Sequence, residues 1–372
     1  MDLNRFAATA VDIGVRSSTR RSLTRGGAGI AIGAFAFGHH SQAVAAQGID
    51  ATPAASGDAT PVPAEVPSWA DIDQLFADAA PDTAMLAAEL VDGACETVHA
   101  LGADTVLPVG SSFKLWILGA LALEIEAGRL DWDQLVTIED RYRSVPGGDL
   151  RFALAGTQYT LRYIAERMMQ KSDNTATDHV FYLVGRDNVE AAMAAMGHSD
   201  PALNEPIIST RELALLKFGN TTEFLNEYYA LPVAERRAIL DGPLAEQSVD
   251  SIPDLDQTVP LEIDRVEWFA TREDLCRTMA WLHAKGAEPG MRPVAEVLAL
   301  ETQLPFDGEI WPYAGFKGGS ELGVLSGTWL LQRSDGRFFV YSAGFRNPDG
   351  EIDTPAAIVA MEAGRDRLAL AP

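Results

Sequence analysis

From Gly110 to Gly128 the chain reads GSSFKLWILGALALEIEAG, an apolar run with no polar face at helical spacing before Glu124. Such a run predicts a helix buried on most sides rather than one lying on a surface. Elsewhere the periods are clearer. Leu161, Ile164, Ala165, Met168 and Met169 recur at helical spacing within residues 157–170, and residues 175–184 and 188–196 predict two more helices parted by Gly185. Ser209-Thr210-Arg211-Glu212 and Thr271-Arg272-Glu273-Asp274 have the form of capping boxes, each opening a helix, and residues 233–240 and 291–304 add further helical stretches. Residues 85–92 and 96–108 predict two strands; 313–319, 323–332 and 337–345 predict three more, the last two joined at Ser334-Asp335-Gly336. An amphipathic helix over 353–370 closes the chain. Two early strands and three late ones around a helical block imply one sheet completed by both ends of the chain, in a mixed α/β (α+β) class.

The first 46 residues stand outside this pattern. Arg20 and Arg21 precede a mildly apolar stretch, Gly26 to Gly38, which is too short to span a bilayer, and Ala43-Val44-Ala45 offers small residues to a signal peptidase. That order is the form of a twin-arginine export signal, and it predicts an extracytoplasmic, secreted or cell-wall-associated protein. Cysteine is absent from the cleavage region, so no lipid anchor is expected there. Residues 47–66, rich in Ala, Pro, Thr and Asp, read as a flexible tether before a folded domain of residues 67–372. Residues 219–267 are long, acidic and mixed in pattern, and read as an insertion bordering the cleft.

Composition narrows the partners. The formal net charge is −24, and the basic leader makes the remainder more acidic still, so binding to a phosphate backbone or an anionic membrane is disfavoured. The six histidines form no metal-ligand pattern, and no metal or other cofactor is expected. Cys95 and Cys276 allow at most one intramolecular bridge, which their spacing alone does not decide.

The candidate chemistry starts at Ser111 and Lys114. Residues three apart on a helix lie one above the other, so the Lys114 amine reaches back to the Ser111 hydroxyl. Burial among Leu, Ile and Trp disfavours the ammonium and makes the amine a base for that hydroxyl. A first-turn position also leaves the Ser111 amide free for an oxyanion at the positive end of the helix. A serine–lysine pair alone recurs by chance, but this chain holds only Lys114, Lys171, Lys217, Lys285 and Lys317, and two of those mark further signals. Lys171 precedes Ser172-Asp173-Asn174, which taken alone is a set of helix caps; Lys317 opens Lys317-Gly318-Gly319-Ser320 ahead of a β-rich run.

SxxK, then SDN, then a KTG-like triplet, in that order, resembles the class A β-lactamase and penicillin-binding-protein family, from about Trp69 to the C-terminus. The resemblance implies an antiparallel five-stranded sheet flanked by helices, with an all-helical lobe inserted over about residues 128–305. It also implies an acyl-serine hydrolase acting on a small molecule, a β-lactam or a peptidoglycan-like acyl donor, with the site between sheet and helical lobe. It makes Ser111 the nucleophile, Lys114 its base and Ser172 the proton donor to the leaving nitrogen. Asn174 would bind the substrate amide, and Lys317 would face a substrate carboxylate. The amides of Ser111 and Ser320 would form the oxyanion hole, with Gly319 allowing close approach. Gly318 stands where the family has a threonine or serine, removing a carboxylate-binding hydroxyl. For the deacylating glutamate the matching segment is Asp200-Pro201-Ala202-Leu203-Asn204, which makes Asp200, one methylene shorter, the candidate base. A D,D-carboxypeptidase, an esterase, or a non-catalytic penicillin-recognising or cell-wall-binding protein of the same fold stay open as alternatives.

Overall fold

In a computed structural model, residues 66–252, 255 and 257–372 are described; the segment expected to be an export signal and most of the expected tether lie outside them. Helix α1 (Trp69–Ala79) opens the fold from a Ser68–Asp71 capping box. Strands β1 (Asp82–Val91), β2 (Ala94–Leu101) and the two-residue β3 (Leu107–Pro108) lead to a 3-10 turn at Gly110–Phe113 and to helix α2 (Lys114–Glu126). Short strands β4 (Leu135–Thr137) and β5 (Gln158–Thr160) precede α3 (Leu161–Gln170), α4 (Asn174–Val184) and α5 (Arg186–Ala195). Helices α6 (Thr210–Gly219), α7 (Thr222–Tyr229) and α8 (Val233–Asp241) follow, then β6 (Phe269–Ala270), α9 (Arg272–Gly286) and α10 (Arg292–Leu298). The chain ends with β7 (Tyr313–Glu321), β8 (Val324–Gln332), β9 (Phe338–Arg346) and α11 (Thr354–Ala369).

The main sheet runs β2-β1-β9-β8-β7, so both ends of the chain complete it, as the strand pattern predicts. All its neighbours are antiparallel, with Asp82 opposite Arg346 and Gly318 opposite Gly327. Strand β7 is an edge, and its unpaired side faces the helical lobe's rim. Side chains alternate between two cores. Phe316, Trp329, Phe339 and Tyr341 pack under α1 and α11, while Leu330 and Val340 join the core shared with the helical lobe. Within that second core α2 is buried from Lys114 through Ala122, the all-round burial its uniform composition implies. Both predicted capping boxes form, Ser209 with Glu212 and Thr271 with Asp274. Cys95 of β2 and Cys276 of α9 are joined as a disulfide, tying the sheet to the lobe.

Three expectations change. The second strand stops at Leu101 rather than Pro108, because Gly102 takes φ +53° and the Thr105 amide closes a turn on its carbonyl. The helix expected to 304 ends at Leu298; beyond it Trp329 Nε1 donates to the Thr302 carbonyl at 2.8 Å and holds the chain in a loop over the sheet. Residues 219–267 do not form the expected border of the cleft: Phe224, Leu225, Tyr228, Ile239, Leu240 and Leu244 are buried in the core, and none of the described residues of the segment lines the cleft at Ser111.

Candidate active site

Gly110 has φ +50°, and a β-carbon there would meet the Ser320 amide nitrogen at 3.1 Å, so the turn before Ser111 needs glycine on both counts. Space alone demands it across the gap: a β-carbon on Gly319 would come within 2.2 Å of the Ser111 nitrogen. These two glycines let edge strand β7 lie against the turn that carries Ser111. The amides of Ser111 and Ser320 thereby become neighbours.

Lys114 has no exposed surface. Its Nζ lies 2.9 Å from Ser111 Oγ, 2.9 Å from both the carbonyl and the hydroxyl oxygen of Ser172, and 2.8 Å from Asn174 Oδ1. Burial holds its pKa well below the ordinary lysine value, and the charge of Lys317 pushes the same way. Lys317, 3% exposed, donates to Ser172 Oγ at 3.1 Å and to the Gly318 carbonyl at 2.6 Å, and burial lowers its pKa to about 7. Ser172 thus stands between the two lysines. It does so at φ +52°, a left-handed conformation that costs a serine roughly 1 kcal/mol and that turns both its oxygens toward Lys114. Asp173 anchors this loop, accepting from the amides of Ala176 and Leu150 at 2.9 and 2.8 Å. Asn174 points its amide inward, donating to the Pro146 carbonyl at 2.7 Å while its oxygen accepts from Lys114.

Ser111, Ser172, Lys317, Gly319 and Ser320 line one cleft holding about 730 Å³ of empty space, part of it open to solvent. Asp200 is not brought there. It is exposed at the head of a 3-10 turn, Pro201–Asn204, whose Asn204 side chain is clamped on the Phe269 backbone at 2.8 and 2.9 Å. That clamp turns Ala202, Leu203 and Glu205 toward a different cleft, beside Asp82 and Arg346. The carboxylates whose charge reaches Lys114 are Asp173 and Asp178.

Sequence reasoning missed the layer beneath Ser111. Glu267 Oε2 accepts from the Gly110 amide at 3.2 Å and from the Trp268 amide at 3.0 Å, and the Trp268 ring stacks on Phe113 with centroids 3.6 Å apart. Lys217 lies 3.7 Å from Glu267 and 2.5 Å from Glu321 at the end of β7. Burial, and then the neighbouring Glu321, raise the Glu267 pKa well above the carboxylate range. The one available signal was Lys217, a lysine inside the apolar helix ELALLKF. Its partners lie too far along the chain for any local pattern to pair them.

Comparison with known proteins bears on the fold and the family. Residues 67–228 match the model of the beta-lactamase enzyme family. Among solved structures, a beta-lactamase from Sphaerobacter thermophilus DSM 20745 is similar with a TM-score of 0.56 at 18% identity, over 82% of this chain and 96% of that one. A beta-lactamase from Chitinophaga pinensis DSM 2588 gives 0.55 at 14% identity, over 80% and 98%. A mutant of PBP-A, solved as its acyl-enzyme complex with penicillin G, gives 0.53 at 16% identity, over 80% and 95%. No curated protein matches. The fold is that of the β-lactamases. The resemblance to the family of β-lactamase- and penicillin-binding-protein-like serine hydrolases is borne out by this family match and by the shared fold.

Proposed function

We propose that the protein is an exported serine hydrolase of the class A β-lactamase type that forms an acyl-enzyme on Ser111 and opens β-lactams or cleaves related amides and esters. The observation that carries this reading is the 2.9 Å approach of the buried Lys114 amine to Ser111 Oγ. A neutral Lys114 takes the hydroxyl proton as Oγ bonds to the acyl carbon. The oxyanion is received by the Ser111 and Ser320 amides. The proton passes by way of Ser172, which touches both lysines, to the leaving nitrogen or oxygen as its bond to the acyl carbon breaks. Lys317 keeps Ser172 oriented and contributes positive potential while charged. Asn174, bonded inward to Lys114, orients the amine in the resting site and is available to a substrate amide only after turning.

Release of the acyl group needs an activated water, and Asp200 stands away from the cleft. Lys114 is then the base for both half-reactions, and deacylation is the slow one. This favours the second reading, a D,D-carboxypeptidase or esterase of the same fold, over an efficient β-lactamase. The Arg20–Arg21 signal supports export, as does the Cys95–Cys276 disulfide, since such bonds persist in oxidising compartments.

The test is covalent labelling by a fluorescent penicillin, followed by intact mass over time. An adduct on Ser111 that accumulates in a burst and decays slowly is expected. Rapid turnover without an adduct would overturn slow deacylation. No adduct at any time would exclude β-lactams as acyl donors and favour the esterase or the non-catalytic binder.

A further inference from the structure

The cleft at Ser111 does not stop at the catalytic face of the sheet. It continues round the free edge of β7 to the opposite face, where its lining is Phe316, Trp329, Leu304 and Met361 beside Gly318 and Gly327. The two glycines face each other across β7 and β8. A β-carbon on Gly318 would meet the Phe316 ring at 2.6 Å, and one on Gly327 would meet the Trp329 ring at 2.4 Å. The rings therefore lie against the glycines, with centroids 4.9 Å apart and planes tilted by 31°, and form an aromatic floor. Met361 from α11 and Leu304 from the loop after α10 stand over that floor. The loop is fixed rather than adaptable: Trp329 Nε1 holds the Thr302 carbonyl, and Glu301 Oε1 accepts from the amides of Thr302 and Gln303 at 3.0 and 3.1 Å.

The recess carries no arginine among its lining residues. Its charged neighbours are Lys317, whose amine is turned back to Ser172 and the Gly318 carbonyl, the exposed Lys171, and the Glu301 carboxylate on the same rim. An anionic group on the aromatic floor would lose its hydration without gaining a paired cation, which is costly. An uncharged ring or short alkyl group would be welcomed by area burial and stacking. The entrance passes Ser172 and Lys317, the groups that deliver the proton to the leaving atom, so what enters the recess belongs to the leaving half of the substrate.

We propose that this recess is a substrate subsite for an uncharged, flat apolar group carried on the leaving side of an ester or amide. The inference rests on the reading of Ser111 as nucleophile. On an aryl ester, Ser111 Oγ bonds to the acyl carbon and the ester C–O bond breaks. The serine proton, relayed through Lys114 and Ser172, ends on the departing phenol oxygen, and water later releases the acid.

Two measurements on the full mature chain test it. In Ser111→Ala, ligand-observed NMR should show benzyl alcohol binding at least about tenfold more tightly than benzoate, and Met361→Trp added to that variant should abolish benzyl alcohol binding. In the otherwise wild-type enzyme, kcat/KM for phenyl acetate should exceed that for 3-acetoxybenzoate by about tenfold, and Met361→Trp should bring the ratio close to one. If circular dichroism shows Met361→Trp unfolded, Leu304→Phe fills the recess from its other wall. Equal or tighter benzoate binding, or benzyl alcohol binding unchanged by both filling variants, overturns the subsite. The expected binding with no ester turnover and no penicillin adduct keeps the subsite and overturns the hydrolase reading instead.

Discussion

Two lysines share one serine in this site, and their burial sets the pH behaviour. Burial holds Lys114 well below the usual lysine value, whereas Lys317 titrates at about 7. Labelling of Ser111 by a neutral ester should therefore rise with pH as Lys114 loses its proton and then stay level. Labelling by an anionic penicillin should fall again above about pH 7 as Lys317 loses its charge. The two profiles, measured side by side, check the separate roles. The same shifts bear on stability. A lysine whose folded pKa lies below its unfolded value binds fewer protons when folded, so its cost is fully present below the folded pKa and is gone above the unfolded one. For Lys317 that window runs from about 7 up to 10.5. Lys317→Met should stabilise the fold by up to a few kcal/mol at pH 6, an advantage that shrinks as pH approaches 10; denaturant titrations at both pH values read it. Lys114→Ala and Ser111→Ala should each remove nearly all acylation, with the double variant little worse, because the pair acts as one unit. Asp200→Asn should leave the release rate of the acyl group within about twofold, since a base must stand within hydrogen-bond reach of its water, and this exposed carboxylate does not.

At the scale of elements, the turn that carries Ser111 is held from below by a carboxyl group, not by its own helix. Glu267, its pKa raised well above the usual carboxylate value by burial, accepts from the Gly110 amide, and Lys217 lies between it and Glu321 at the end of β7. Glu267→Ala would strand a buried amide and remove a neighbour of the fully buried Lys217. It should cost roughly 1–3 kcal/mol in denaturant unfolding and slow labelling of Ser111. Glu267→Gln, which copies the protonated acid in shape, should recover most of both. A purely structural role predicts loss of stability with labelling unchanged in the folded fraction. The segment 219–267 belongs to this scale as well: Phe224, Leu225, Tyr228, Ile239, Leu240 and Leu244 are core, so its removal should destroy folding rather than alter substrate range.

Across the whole molecule, sheet and helical lobe meet at the cleft, and the Cys95–Cys276 bridge crosses between them over 181 residues. Replacing both cysteines by serine should lower unfolding stability by about 2–4 kcal/mol. Reductant should bring the native protein down to the same value and leave the double variant unchanged. Arg20→Lys with Arg21→Lys should leave precursor inside the cell if the leader is read as a twin-arginine signal, which fractionation and immunoblotting would reveal.

The sequence by itself determined what depends on neighbours along the chain. Ser111 and Lys114 are three residues apart on a helix whose apolar surroundings desolvate the amine, the capping boxes lie within four residues, and the strand runs alternate or stay apolar according to what covers them. Those local patterns carried the strands, the helices and the Ser111–Lys114 pair; Ser172 and Lys317 were picked out by the order of their motifs and the family which that order resembles. Tertiary structure alone decided everything that needed two distant segments at once. Asp200 matches its motif residue for residue, yet the clamp of Asn204 on Phe269 turns that segment to another cleft. Glu267 carries no local mark and acquires its role only because β6 is folded beneath Gly110. The recess behind β7 exists because two glycines, nine residues apart in sequence, meet in one register and let two aromatic rings lie against them. Local periodicity records which face of an element is buried; which groups then share that buried space is set by the long-range packing of the chain.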